Sequence, residues 1–389
     1  MKGFFNIPGI VFFRISCILI FLLDASAMKS QILSPESVKS IELLSQAWDI
    51  LDTTRLTIYH DWTGYRQVPV FIGAPGKQGI FINPDKELPK GYSRIQSDTS
   101  QKIYVSDSCS VGFSGGGVGV LIDNVYYHQY MKLDLYSGRF KNDYISFLEK
   151  YFSVDKLPDS VVSLLKSPEF YMATAFHEAF HVFQQKSKGW QPQRDINYLK
   201  PEIAVLSCIE GLLLREALYA ETDQKAKESV QRFLTIREFK DSKLNKKQIN
   251  YEEDYEWAEG TAMYVQTEIL KTLLSTTGKQ FLFYLDSLNL YNSVVNLNEP
   301  GNKDYYYGQA QAFLLDRLYG PGWEVKILSK NIFMTDLLKE AVGYKRPDGE
   351  QQLQQILNTF HYDSMKDRIR VQFKKGNYII DSQYINKFP

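Results

Sequence analysis

His177-Glu178-Ala179-Phe180-His181, set between Tyr171, Met172, Ala175 and Phe176 before it and Val182 and Phe183 after it, decides how this chain is read. The apolar neighbours recur at helical spacing, so the stretch is expected on a buried helix. At 3.6 residues per turn, His177 and His181 project from one face of that helix. Two imidazoles so placed can reach one tetrahedral zinc at roughly 2.0–2.1 Å. Glu178 lies between them, in position to take a proton from a zinc-activated water. The competing reading is a core helix whose histidines are merely hydrogen-bonded. The rest of the chain weighs against it, because it supplies the parts that a metal site lacks.

A catalytic zinc needs a third protein ligand and an open position. No third histidine follows His181 at short spacing, so a carboxylate is expected. Glu259 leads, in Glu256-Trp257-Ala258-Glu259-Gly260-Thr261-Ala262-Met263-Tyr264. Its small neighbours Gly260 and Ala262 should let this second helix approach the motif helix closely. Glu256, one turn earlier, is placed to orient a ligand imidazole. Two rivals stay open. Glu202 has the shorter spacing from His181, and Glu210 is followed by Gly211 but precedes a leucine run and can pair with a nearby arginine. Manganese or cobalt could replace zinc on such a donor set.

A further piece is Asp304-Tyr305-Tyr306-Tyr307-Gly308-Gln309, before an amphipathic helix read over residues 309–319. The Tyr305 hydroxyl can donate to charge developing on an attacked carbonyl oxygen. Tyr306 and Tyr307 are its alternates, and an ordinary aromatic cluster is the plain reading.

With these pieces in view, the chain resembles the gluzincin zinc metallopeptidases, in particular their aminopeptidase-like members. The shared motifs are His-Glu-x-x-His (177–181), Glu-Gly-x-Ala-x-Tyr (259–264) and Tyr-x-x-Gly followed by a leucine-rich helix ending in Tyr-Gly-Pro (305–321). The resemblance implies His177, His181 and Glu259 as ligands of one zinc, Glu178 as general base and Tyr305 as transition-state stabiliser. It covers roughly residues 168–325. The stretch between His181 and Glu259 is longer than that family uses, so a helical insertion is expected there. The family's Gly-x-Met-Glu-Asn exopeptidase motif is missing, so aminopeptidase specificity does not carry over.

The remainder of the chain frames this centre. The 389 residues are 44 % hydrophobic, enough for one large domain or two. Lys+Arg and Asp+Glu are equal at 45 each, so nothing argues for nucleic acid or an anionic membrane as a partner. The expected partner, a peptide or protein substrate, follows from the zinc motif. Residues 1–27 read as a signal peptide: Lys2 and Arg14 are basic, Ile15–Leu23 is apolar, and Ala25-Ser26-Ala27 suits cleavage. The apolar run is too short for a spanning helix of ~20 residues. The expected product is exported, secreted or periplasmic, with no stable membrane insertion. Cys109 and Cys208 then remain, to pair in an oxidising compartment or to stay as separate thiols.

Ser34 to about Leu51 reads as a helix, followed by strand-like runs at 56–59, 68–72, 80–82 and 103–105. Gly115-Gly116-Gly117-Val118-Gly119 suggests either a sheet edge bare enough to lie against an extended peptide or a plain turn. Residues 142–152 and 201–240 read as helix, 243–250 as a polar break, 257–274 as helix and 296–303 as a second break. Residues 351–360 read as helix again, with strand-like pieces at 369–373 and 378–380.

The expected fold is α+β: an N-terminal, mostly antiparallel sheet region packed beside a predominantly helical catalytic region. The expected division is 1–27 signal, 28–160 sheet region, 161–345 catalytic region and 346–389 helix/strand extension. The expected function is that of an exported zinc metallopeptidase. The rivals are a non-catalytic zinc- or peptide-binding protein and a zinc hydrolase of non-peptide acyl or amide bonds.

Overall fold

Alternation of side chains along short strands builds the first layer. A computed structural model describes residues 33–59, 62–95, 101–112, 119–128, 130–133, 145–146, 159–188, 200–274, 302–330, 332–346 and 350–374. The signal-like segment, the glycine run at 115–117, most of 142–152 and the strand-like piece at 378–380 lie outside them. Strands β1 (Val70–Ile72), β2 (Gly79–Ile82), β3 (Ser93–Ile95), β4 (Ile103–Ser106), β5 (Val111–Gly112), β6 (Gly119–Ile122), β7 (Val125–His128) and β8 (Met131–Leu133) form two sheets. One has the order β3-β4-β2-β1-β8 and the other β5-β6-β7. All ladders are antiparallel except β1–β8, which runs parallel with Val70 opposite Met131.

Both faces of the larger sheet are covered, and its period of two sorts the side chains. Val70, Ile72, Ile80, Ile82, Ile103, Val105, Met131 and Leu133 enter the main core shared with the helices. Phe71 and Phe81 point the other way, into a second core with Ile122, Tyr127 and Tyr130. Layers therefore run helices, five-stranded sheet, three-stranded sheet. Cys109 lies in the second core and Cys208 in the first, and no disulfide joins them.

Helix α1 (Pro35–Ile58) precedes the sheet, and α2 (Asp159–Leu165), α3 (Pro168–Lys188), α4 (Pro201–Tyr219), α5 (Asp223–Asp241), α6 (Lys246–Leu273), α7 (Asn302–Leu318), α8 (Trp323–Lys330), α9 (Met334–Val342), α10 (Gln351–Thr359) and α11 (Tyr362–Lys374) follow it. The fold is α+β. Three local readings are corrected. Residues 56–58 close α1 instead of forming a strand, because Leu44, Leu51 and Ile58 repeat at seven-residue intervals and bury together. Residues 369–373 lie in α11, where Met365 and Ile369 share a buried face one turn apart and the helix packs on α4. The polar break shrinks to the residues before Lys246, since Asn245 and Gln248 form a reciprocal capping box that starts α6.

Packing then sets the motif helix. Pro168 opens α3, and the Ser167 hydroxyl accepts from the Phe170 amide at 3.2 Å. Phe180 meets Tyr59 and Trp62 edge-on, with centroids 4.8 and 5.1 Å away. Strand β8 and helix α1 pack against α3, and α6 lies along it. Among the described residues, no helix is long and apolar enough to cross a membrane.

Candidate metal centre

On the buried face of α3, His177 and His181 turn their Nε2 atoms towards α6, where Glu259 meets them. The two Nε2 atoms are 3.2 Å apart, and Glu259 Oε2 lies 3.5 Å from His177 Nε2 and 3.2 Å from His181 Nε2. All three residues are at most 7 % exposed. A tetrahedral zinc with bonds of roughly 2.0–2.1 Å has its ligand atoms about 3.3–3.4 Å apart. The observed triangle has that size, and its donors are two imidazole nitrogens and a carboxylate oxygen. His177, His181 and Glu259 therefore form a buried group able to hold one metal ion.

The electrostatics fit the same use. Burial opposes ionisation of Glu259, yet the two imidazoles hold its carboxyl well below the usual range. Burial likewise opposes a charge on His181, but Glu259 outweighs it, with smaller help from Glu178 and Gln184, and raises the ring to about 9. Without a cation, this anionic pocket recruits a proton in its place.

Tyr305 stands beside the triad. Its ring is nearly parallel to that of His177, 9° between planes and 6.0 Å between centroids. Burial, then the neighbouring Glu259 carboxylate, then Glu178 push the phenol far up, so it remains a hydrogen-bond donor. Glu178 itself is half-buried. Tyr307 is spent elsewhere, donating to the Ser207 carbonyl at 2.6 Å, and Tyr306 packs against the main core. The helix carrying Tyr305 begins at Asn302, so Gly308 lies inside α7 and does not open it.

Both rival ligands sit away from the centre. Glu210 accepts from Arg237 Nε at 2.6 Å and Lys240 Nζ at 2.5 Å, and Glu202 pairs with Lys243 at 2.7 Å. Glu256 does not orient an imidazole. Arg237 holds both its oxygens and the Gln311 amide donates to one of them at 2.7 Å. Gly260 also has another partner than expected: it meets Gly308 of α7, backbone to backbone, and not the motif helix.

Two features escaped the sequence reading. Gln184 accepts from His181 Nδ1 at 2.7 Å and donates to the Ala258 carbonyl at 2.8 Å and to Thr261 Oγ1 at 2.9 Å. Its place one turn after His181 was the available signal. The other is a buried ionic layer in which Arg237, Lys240 and Lys303 face Glu210, Glu252, Glu253, Glu256 and Asp304. Glu252, Glu256 and Asp304 are close enough to suggest a second cation position. The Lys303 ammonium already bridges Glu252 and Asp304, so this group is an ion-pair network. Burial, against the pull of Lys303, lifts Asp304 to about 7, and burial against Arg237 lifts Glu253 to about 8.

Compared with known proteins, the chain matches no family model, no curated protein and no solved structure. What it can do is therefore argued from the centre itself.

Proposed function

We propose that the protein is a zinc-dependent hydrolase acting on peptide bonds. One observation carries the reading: two imidazoles and a carboxylate converge at tetrahedral spacing, with Glu178 one residue from the first ligand. A bound zinc supplies Lewis acidity, making water a better nucleophile near neutral pH and polarising a carbonyl. The chain supplies the rest. Glu178 takes the proton of the attacking water and returns it to the leaving amine. The Tyr305 hydroxyl donates to the carbonyl oxygen as negative charge builds on it. The apolar surroundings of α3 hold the ligands in place and keep the local dielectric low.

This reading includes the gluzincin-like assignment of the motifs, export after loss of residues 1–27, and a catalytic region over 161–345 beside the sheet region. Glu178 also bears on the non-catalytic alternative, because a purely structural site has no use for a half-exposed carboxylate beside its ligands.

Residues 28–389 and the variants His177→Ala and Glu178→Gln test it. One equivalent of zinc is expected in the parent and in Glu178→Gln, and none in His177→Ala. Peptide-library cleavage should fall at least about 100-fold in Glu178→Gln. A folded parent that takes up no zinc, or a Glu178→Gln protein with full activity, refutes the proposal. Acyl esters in parallel separate a peptidase from a hydrolase of other acyl bonds.

A further inference from the structure

Building on the metal-centre reading, we infer that Gln184 is a positioning residue: its amide dictates which nitrogen of His181 carries the proton and leaves the other as a lone pair for the metal. The argument begins on α6. The Thr261 hydroxyl donates its single proton to the Trp257 carbonyl at 2.5 Å, so it can only accept from anything else. The Ala258 carbonyl can only accept. Gln184 presents one terminal amide atom to both, at 2.8 and 2.9 Å, and only the NH2 group satisfies two acceptors. The reverse orientation would set oxygen against oxygen twice.

That fixes the other end. Gln184 Oε1 faces His181 Nδ1 at 2.7 Å, so Nδ1 is the nitrogen that bears hydrogen. In the neutral ring, Nε2 then holds a lone pair directed at the position that His177 Nε2 and Glu259 Oε2 also face. The orientation follows from the network around the amide and not from the appearance of the side chain, whose nitrogen and oxygen look alike.

The same amide spans two helices. Gln184 and His181 sit on α3, while Ala258 and Thr261 flank Glu259 on α6. Gln184 thus sets the level at which the two ligand-bearing helices meet. Its side chain is fully buried, so water does not compete for these bonds. His177 has no equivalent: its Nδ1 is buried without a hydrogen-bond partner among the described residues. Of the two imidazoles, only His181 is preset by a described group.

The test uses the full chain without its first 27 residues, loaded with zinc, and reads two quantities besides activity. Long-range proton–nitrogen spectra of the parent should show His181 protonated at Nδ1 and metal-bound through Nε2. Chelator competition should show Gln184→Met binding zinc about 10- to 100-fold more weakly than the parent. Gln184→Glu keeps an acceptor for Nδ1–H, so it should retain the His181 tautomer and recover most of the affinity while losing resistance to urea. A parent that binds zinc through His181 Nδ1 overturns the inference, and this spectrum decides even if Gln184→Met fails to fold. So does a folded Gln184→Met with parental affinity and tautomer. A parent that binds no zinc overturns the metal-centre reading and this inference together.

Discussion

Helices α6 and α7 touch at Gly260 and Gly308 with no side chain between them, and Gly308→Ala tests what that contact does. A Cβ at position 308 would lie 1.9 Å from the Glu256 carbonyl oxygen, and one at 260 would lie 2.3 Å from Gly308 Cα. Both obstacles are backbone, so no rotamer change relieves them. Ordinary contact begins near 3.4 Å. The methyl must therefore push the helices apart locally by about 1.5 Å, an overpacking that costs about 1–3 kcal/mol. Tyr305 lies one turn before Gly308, and Glu259 is the neighbour of Gly260. The displacement therefore pulls the Tyr305 hydroxyl from the centre, while the ligands, all on α3 and α6, keep their spacing. Misplacement of about 1 Å is worth up to about 100-fold in rate. Gly308→Ala should lose stability in urea and most of its peptide cleavage while retaining one zinc. Parental stability and turnover in this variant would refute the close-contact argument.

Two further outcomes are expected. Lys240→Met removes one of the three cations from the buried layer and leaves Glu210 to Arg237 alone and Glu252 to Lys303 alone, so it should cost about 3 kcal/mol in urea unfolding, with zinc content unchanged. A loss below about 1 kcal/mol would contradict the network. In the metal-free protein, Glu259 raises His181 to about 9 from 6.5 against the effect of burial. The stabilisation from that pair is fully present below about pH 6.5 and fades as pH rises through about 9. Zinc must displace this proton. Uptake at pH 7 should release close to one proton, and apparent affinity should rise with pH towards 9. Calorimetry in buffers of different ionisation enthalpy measures the release, and buffer-independent heats would contradict it.

The parts of the centre legible in the sequence were those encoded within one helix. His177, Glu178 and His181 are a local spacing, and the structure keeps them on one face of α3. Glu259 was legible through its small neighbours, although the reason differed: Gly260 admits α7, which brings Tyr305 to the centre. Gln184 was not, because its acceptors are 74 and 77 residues away on α6. Residues 369–373 alternate like a strand, and only packing against α4 decides for helix. Arg237 and Lys240 interrupt the apolar period of α5, a sign of buried charge whose partners lie on α4 and α6.

The ionic layer has a consequence for assembly. Glu210 and Lys240 are fully buried, as are Glu252 and Glu256 within 1 %. Each charge finds its partner at a single sliding position of its helix. A one-residue slip rotates a helical side chain by about 100° and moves it along the axis by about 1.5 Å. Any misregistered docking of α4, α5, α6 or α7 therefore leaves an ion facing hydrocarbon, and apolar side chains such as Leu213, Phe233 and Leu315, which tolerate sliding, cannot compensate. The layer works as a vernier: hydrophobic contact gathers these helices, and the charges select the one alignment of α4, α5, α6 and α7, which fixes Glu259 on α6 relative to Tyr305 on α7.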